Sequence, residues 1–574
     1  MLHVGKRLAH LLKEYGVTHV FGVPGGQTLP LYEGIMETDG IAHVLMRDER
    51  SAGFAADAYA RLTGLTGVCD ATVGPGATNL PSAIAEAYSS SVPLGAIIAD
   101  LPRHWEHRRV RGSASQGVRQ VEIFSSISKW QATVADPAAL DDLADAAFRI
   151  ANAGRPGPVV LSIPDDVFAA PAPDRPRPAR PPLRTPWYRT APDPALVRDA
   201  AAAIARADRP ALFVGGGAML SAAAAEVQAL AEYLNVPIAT TISGKGVVAE
   251  THPLAVGVAG AMGRPIANEV LKDADLIVLV GTKTGQVATF NWRLPAPGVR
   301  TVHIDVDAEE IGRNFPDSLP LVGDARLAIA ALHAALTHLG VPPKGWDGAA
   351  IQARVRRWYA QAVDRPQVDG EPLKPQLVMD LLNQHARPDD MVVCDASLAS
   401  GWVAAYYNLP APGRSYLAPR GLAGLGWGAP AAIGAATARE VLGRPGAVLH
   451  VAGDGGFAYS VQELEVMARL RLPVITVLLN NSALAWIKHA EKARFGERYI
   501  STDFTRVDFA AVARGFGVPA WTARTAAELH AALDQARLAE GPALVDVITD
   551  QWETPLLRFS SSSQQLARAA GEGR

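Results

Sequence analysis

The run Ala452-Gly-Asp454-Gly-Gly-Phe457 follows a β-rich stretch, and a second such stretch, PVITVLLNN, ends on Asn480 and Asn481. Asp454 and Asn481 stand 27 residues apart (481 − 454), the length of one strand–helix–strand crossover in a parallel sheet. Both side chains would then emerge at the carboxyl edge of that sheet, where open α/β sheets bind ligands. A carboxylate, an amide oxygen and a backbone carbonyl are hard donors. So incomplete a set suits Mg²⁺, whose other positions go to diphosphate oxygens and water. Gly453, Gly455 and Gly456 leave backbone N–H groups free to approach phosphate at the start of a helix. Either piece alone reads as a turn or a strand-end cap. Together, at this spacing, they read as a site. Glu49, in LMRDERS, stands at the end of another strand and just before AGFAADAYARL. Taken alone, it reads equally well as an acid favoured by a helix dipole.

The elements that would carry these residues alternate short β-rich runs with helical stretches, the pattern of parallel α/β sheets. HVFGVP, HVLMRD, GVCDATV, PLGAIIAD and PVVLSIP read as strands of an N-terminal domain over residues 1–170, with helices near 52–62 and 79–89. A Pro-rich linker follows over 171–187. A central domain spans 188–342, with strands at PALFVGGG, DLIVLVG and TVHIDVD, and a charged bridge covers 343–372. The last domain, 373–555, has strands at MVVCDAS, AVLHVAGD, PVITVLLNN and PALVDVI, and a polar tail occupies 556–574. That tail is either disordered or able to close over a site. The first and last domains look like similar units used twice. The expected fold is thus α/β, with three doubly wound parallel-sheet domains.

Bulk properties agree. A chain of 574 residues is too long for one core, and 49% apolar with 19% charged residues suits a globular protein. The formal net charge of −3, without a long Lys/Arg run, argues against nucleic acid as a partner. Cys69 and Cys394 lie in apolar stretches and read as buried small side chains. Val4, Leu8, Leu11 and Leu12 share one face of an amphipathic helix, unlike a signal peptide. The apolar runs are strand-sized, so no membrane partner is expected and the reading is cytoplasmic.

GDGGF followed by NN at this spacing resembles the signature of thiamine-diphosphate enzymes. That resemblance implies Mg²⁺ held by the side chains of Asp454 and Asn481 and the carbonyl of Ala483. Such a cofactor does the carbanion chemistry, while the protein supplies geometry and tautomer control. It needs a dry carboxyl group against its pyrimidine nitrogen and an apolar wedge that keeps it bent. RDERSAGFAADAYAR resembles the family's glutamate motif, which makes Glu49 the activating acid. In GLAGLGWGAPAAIGA the wedge would be Leu425, with the Ala423 carbonyl and Leu425 N–H gripping the aminopyrimidine; glycines there permit close approach.

Further segments are similar to the acetohydroxyacid (acetolactate) synthase branch, and the likeness runs from about residue 4 to 550. FGVPGG, with Gly25 and Gly26, resembles its first loop. GPGATN, ending on Asn79, resembles its cofactor-facing turn. Gln116 aligns with a glutamine that hydrogen-bonds the bound carbonyl. Departures are as informative. Ser397-Leu-Ala-Ser400 replaces Gly-Gln-His-Gln at the phosphate loop, Ser115 replaces a Phe, and Ala490 stands where a tryptophan favours larger acceptors. The run that helps hold FAD is replaced by GTKTGQVATFNW, and Gly215-Gly-Gly217 alone is a weak dinucleotide signal, so FAD stays open. The resemblance implies decarboxylation and carboligation of a small 2-oxo acid, pyruvate or a relative, in a homo-oligomer, dimer or tetramer, with active sites shared between subunits. The rival is a decarboxylase or lyase acting on another 2-oxo acid or an acyl-thioester. Loss of Glu49 or Asp454 would have pointed to a non-catalytic cofactor-binding subunit, and both are present.

Overall fold

The computed structural model describes residues 2–173, 177, 182–364 and 372–556, and it contains three six-stranded sheets in which every pairing is parallel. The first holds β1 (His19–Gly22), β2 (Ala42–Leu45), β3 (Gly67–Ala71), β4 (Leu94–Asp100), β5 (Trp130–Thr133) and β6 (Val159–Pro164), in the order β2-β1-β3-β4-β6-β5. The second holds β7 (Pro210–Val214), β8 (Ile238–Thr240), β9 (Ala255–Val258), β10 (Leu276–Val280), β11 (Arg300–Asp305) and β12 (Leu319–Val322), in the order β12-β11-β10-β7-β8-β9. In the third, β13 (Met391–Cys394), β14 (Tyr416–Leu417), β15 (Val448–Gly453), β16 (Val474–Asn480), β17 (Ala520–Ala523) and β18 (Ala543–Ile548) are ordered β14-β13-β15-β16-β18-β17. The α/β class with three parallel-sheet units is as expected.

Counted within each unit, the first and third sheets share the strand order 2-1-3-4-6-5. Chain direction across the sheet reverses between strands 1 and 3, so the loops after those strands part to opposite faces and open a crevice. Those crevices lie after β1 and β3 in the first unit, and after β13 and β15 in the third. The central sheet reads 3-2-1-4-5-6, the doubly wound dinucleotide order, with its crevice after β7 and β10.

The first and third units are welded by a common core. Helix Glu49–Thr63 lies against helix Gly428–Leu442, and Phe54, Ala55, Tyr59, Trp427, Ile433 and Ala436 belong to one buried cluster. Small side chains let these helices approach closely. A Cβ on Gly434 would come within 2.0 Å of the Ala55 carbonyl oxygen. Both helices are buried over most of their length, which explains why GAPAAIGAATA in the second shows little amphipathic period.

The expected helix near 79–89 is divided into Pro75–Asn79 and Pro81–Ser90, because Pro81 takes the first position of a new helix. The charged bridge over 343–372 carries a helix, Gly348–Val363, whose Ile351 is buried in the central core with Trp358 packed against it. Short β5, β8, β9, β12, β14 and β17 have no counterpart among the expected strands; at two to four residues, they carry too little pattern. Parts of the Pro-rich linker, residues 365–371 and the tail from 557 lie outside the described residues. Cys69 and Cys394 are buried and free. Among the described residues no helix is long and apolar enough to cross a membrane.

Candidate active site

One half-site forms at the carboxyl edge of the first sheet. After β2 the chain enters helix Glu49–Thr63, whose N-cap Asp48 accepts the N–H groups of Arg50 and Ser51. That cap fixes Glu49 as the first helical residue, only 9% exposed. Its Oε2 accepts a 2.9 Å hydrogen bond from the Asn79 side-chain amide. Gly76 lies beneath: a Cβ there would sit 3.0 Å from Glu49 Oε1. The turn entering helix Pro75–Asn79 is sharp, with Gly74 at φ 68°, and Gln116 packs its backbone against it. The buried Gln120 holds the turn, accepting from Gly74 N–H and donating to the Ala99 carbonyl. Gly25 approaches Thr72 so closely that a Cβ would meet its Oγ1 at 2.2 Å, whereas Gly26 faces open space. Glu49, Asn79, Gln116 and Gly26 are therefore gathered at one crevice.

The other half-site lies in the crevice of the third sheet. Asp454 opens helix Asp454–Phe457 directly after β15 and is 5% exposed. Its Oδ2 accepts the Ser482 N–H at 2.7 Å, and the Asn481 side-chain oxygen accepts the Ala483 N–H at 3.1 Å. Asp454 and Asn481, set on one sheet edge by their spacing, thus come together with Ala483, which the family resemblance adds. Burial pushes the Asp454 carboxyl up to about 6, and among the described residues no Lys or Arg pairs with it. A desolvated carboxylate beside an amide oxygen, without a protein cation, matches what a divalent ion needs. Leu425 reaches the same loop, its Cδ2 lying 3.8 Å from where a Gly456 Cβ would be. Ala423 is held at φ 59° and Gly426 at φ 82°.

Two sequence expectations need correction. Asn480, expected to touch the cofactor, is fully buried, and its amide donates to the Val507 carbonyl and to Asp546. As the last residue of β16 its side chain points inward, and Asn481 takes the outward place. Ser400, expected to donate to phosphate, instead turns its buried hydroxyl to the Ser397 carbonyl, one turn back in helix Leu398–Tyr406. Ser397, at φ 68°, remains part-exposed at that helix start. The glycines also have packing roles. A Cβ on Gly456 would meet Asp395 Oδ2 at 2.7 Å, and one on Gly455 would crowd Leu484 and Phe504; Gly453 has no such neighbour.

Three acids escape a reading of the sequence. Asp395 follows β13, is fully buried and accepts the N–H groups of Ala396 and Gly426, tying the Leu425 loop to the phosphate loop. Burial pushes its carboxyl up to about 6. Glu86 accepts three successive N–H groups, of Gly421, Leu422 and Ala423. Glu463 accepts the Arg47 N–H, while Arg50 donates to the Tyr459 carbonyl and Arg469 to the Leu45 carbonyl. These bonds clamp the strand end that carries Glu49 to the loop beyond Asp454. No motif marks such acids; only the meeting of distant segments reveals them.

Burial pushes the Glu463 carboxyl up to about 7, with Ser51, Arg47 and Asp48 beside it, and among the described residues its Oε1 has no hydrogen-bond partner. A folded value above the unfolded one means stability is fully present below about pH 4.5 and is lost as pH rises through 7. The loss amounts to about 3 kcal/mol. Urea unfolding of Glu463→Gln should therefore lose less stability than the parent between pH 5 and 8, by up to about that amount. Parallel pH dependences in the two proteins would contradict this assignment.

A cavity of about 560 Å³ occupies the central crevice and extends to the Gly421–Ala423 stretch of the third unit. Gly216, Gly217, Thr241, Lys283, Arg414 and Arg420 are among its walls. Lys283 donates to the Ser89 carbonyl, Arg414 to the Met219 and Leu220 carbonyls, and Arg420 to Ser400.

Comparison with known proteins gives concordant results. The N-terminal TPP binding domain of thiamine pyrophosphate enzymes matches residues 2–123, their central domain 197–332, and their C-terminal TPP binding domain 395–547. A probable acetolactate synthase large subunit of Methanocaldococcus jannaschii is 33% identical over 551 residues, covering 94% of this chain and 91% of that protein. The acetolactate synthase of Mycobacterium bovis is 33% identical over 579 residues, covering 98% and 90%. The chloroplastic acetolactate synthase 2 of Zea mays is 32% identical over 567 residues, covering 95% and 85%.

Proposed function

This chain belongs to the thiamine pyrophosphate enzymes, in the branch of acetolactate synthase large subunits, and on that premise we propose that it joins two small 2-oxo acids, with pyruvate as donor and loss of CO₂. The observation that carries the reading is the pair of half-sites. One is built around the buried Glu49 and the other around Asp454 and Asn481, each in the crevice of a sheet of the same order.

When bound, thiamine diphosphate supplies an electron sink for the carbanion released by decarboxylation. The residues do the rest. Asp454, Asn481 and the Ala483 carbonyl would hold Mg²⁺, which the buried, cation-free carboxylate favours. Gly453, Gly455, Gly456 and Ser397 would offer N–H or O–H groups to the diphosphate. Leu425 would press on the bent cofactor while the Ala423 carbonyl and Leu425 N–H orient its aminopyrimidine ring. Glu49 would share a proton with the pyrimidine nitrogen, oriented by the Asn79 amide and kept from water by burial. Gly25 and Gly26 would line that ring, and Gln116 would donate to the substrate carbonyl.

Within one chain Glu49 bonds to Asn79, and among the described residues it makes no hydrogen bond to the Asp454–Ala483 loops. Leu29, Met36, Leu422, Tyr459 and Ile500 are all more than half exposed. Leu29 follows the Gly26 loop, Leu422 adjoins Ala423, and Tyr459 packs on Gly426, so apolar surface borders both half-sites. A second copy of the chain would cover that surface, bringing one protomer's Glu49 to its partner's diphosphate loop. The domain limits and cytoplasmic location read from the sequence belong to the same proposal.

FAD fits the central cavity. Its place at the crevice of a 3-2-1-4-5-6 sheet, its volume, and the cations Lys283, Arg414 and Arg420 all suit a dinucleotide. FAD takes no chemical step in the proposed reaction, and a visible absorption spectrum of the purified protein tests its presence.

Incubation with pyruvate, thiamine diphosphate and Mg²⁺ should yield acetolactate. No acetolactate, with turnover of another 2-oxo acid or an acyl-thioester, would favour a decarboxylase or lyase. Ser115, Ala490 and the inward Ser400 support that rival.

A further inference from the structure

Glu86 is not in any motif, yet its carboxylate is buried, 1% exposed, and heavily bonded beside the Leu425 loop. It accepts the backbone N–H groups of Gly421 at 3.0 Å, Leu422 at 2.7 Å and Ala423 at 2.9 Å. Ser90 donates to it at 2.7 Å and Arg61 pairs with it at 3.0 Å. Burial alone would raise its pKa, but the Arg61 charge and these donors outweigh burial and hold the carboxyl below its ordinary value. Arg61 is in turn fixed by Asp57, which accepts from the Trp427 indole, and by donation to the Ala418 carbonyl.

The three N–H groups belong to consecutive residues, so a single carboxylate sets the path of the loop immediately before Leu425. Ala423 ends that run at φ 59°, a conformation a residue with a Cβ resists. A strained backbone persists only where its surroundings hold it. Here the hold is Glu86, which comes from the first unit and reaches across to the third.

We propose that Glu86 is a positioning residue for the thiamine site: it imposes the strained Ala423 conformation that aims the Ala423 carbonyl at the aminopyrimidine and sets Leu425 against the bent cofactor. The proposal rests on the roles assigned above to Ala423 and Leu425. Glu86→Gln keeps the side-chain shape but removes the charge and turns an amide donor toward backbone donors, so the loop should relax.

The test measures thiamine diphosphate binding with Mg²⁺ by quenching of tryptophan fluorescence, together with near-ultraviolet circular dichroism of the bound cofactor. Glu86→Gln should weaken cofactor binding about 10-fold or more and alter the dichroism of the bound ring. Ala423→Gly, added to Glu86→Gln, should recover part of that loss, because glycine adopts positive φ without strain. A carboxylate that merely glued the two units together would gain nothing from that second change. Should Glu86→Gln fail to fold, Glu86→Asp with and without Ala423→Gly carries the same comparison. Unchanged affinity and dichroism in a folded variant, or no recovery by Ala423→Gly, would overturn the proposal. If the unaltered protein does not bind thiamine diphosphate, the functional reading itself falls, and this proposal with it.

Discussion

Glu49→Gln will leave the protein folded and still able to bind thiamine diphosphate, while turnover of pyruvate falls by about 10²–10⁴-fold, the usual range for loss of a positioned acid–base group. The amide matches the carboxylate in shape and can keep a hydrogen bond to Asn79. What it cannot do is share a proton with a ring nitrogen. The loss should therefore fall on kcat, with little change in the cofactor concentration needed for half-saturation. Exchange of the cofactor's thiazolium C2 proton for deuterium, followed by NMR on the bound cofactor, should slow in proportion. A variant that retains parental turnover would remove Glu49 from the chemistry and leave it as a helix-start acid.

Asp454→Ala should set stability and function against each other. Without this carboxylate the Mg²⁺–diphosphate assembly loses its charged protein ligand, and cofactor affinity should fall on the order of 100-fold or more. Without added cofactor, the effect on the fold should have the opposite sign. The Asp454 carboxyl is pushed up to about 6 by burial, so its ionised form burdens the fold above that pH. At pH 8 the cofactor-free variant should be at least as stable to urea as the cofactor-free parent. Tight cofactor binding by the variant, or a marked loss of cofactor-free stability, would show that Asp454 has a structural duty instead.

Much of this site is legible in the sequence because two physical rules tie residue order to position. A parallel crossover has a characteristic length, so the Asp454–Asn481 spacing alone sets both residues on one sheet edge. Strand ends precede helix starts, so Glu49 falls at a carboxyl edge for the same reason. Asn480 shows how fine that rule is: in a strand, one residue's shift reverses the face, and the inward Asn480 bonds Asp546 while Asn481 turns outward. Ser400 departs from expectation for a related reason, since a serine one helical turn beyond Ser397 can return its hydroxyl to the backbone. Glu86 and Glu463 are illegible because their backbone N–H partners are distant, and Asp395 because, beyond the adjacent Ala396, it reaches Gly426, 31 residues on. Glu86 reaches Ala423, 337 residues along the chain. The resemblance of the first and third units shows in the sequence only as similar alternation, and the shared strand order gives it physical content.

Glu49 of one protomer and Asp454 of its partner are proposed to complete a single active site. Glu49→Gln and Asp454→Ala protomers, each nearly inactive alone, should be dissociated together and reassembled in equal amounts. Half of the dimers would then be mixed, each with one intact site of two, so activity should return to about one quarter of the parent's. No recovery, in mixtures shown by mass to contain mixed dimers, would contradict the shared site.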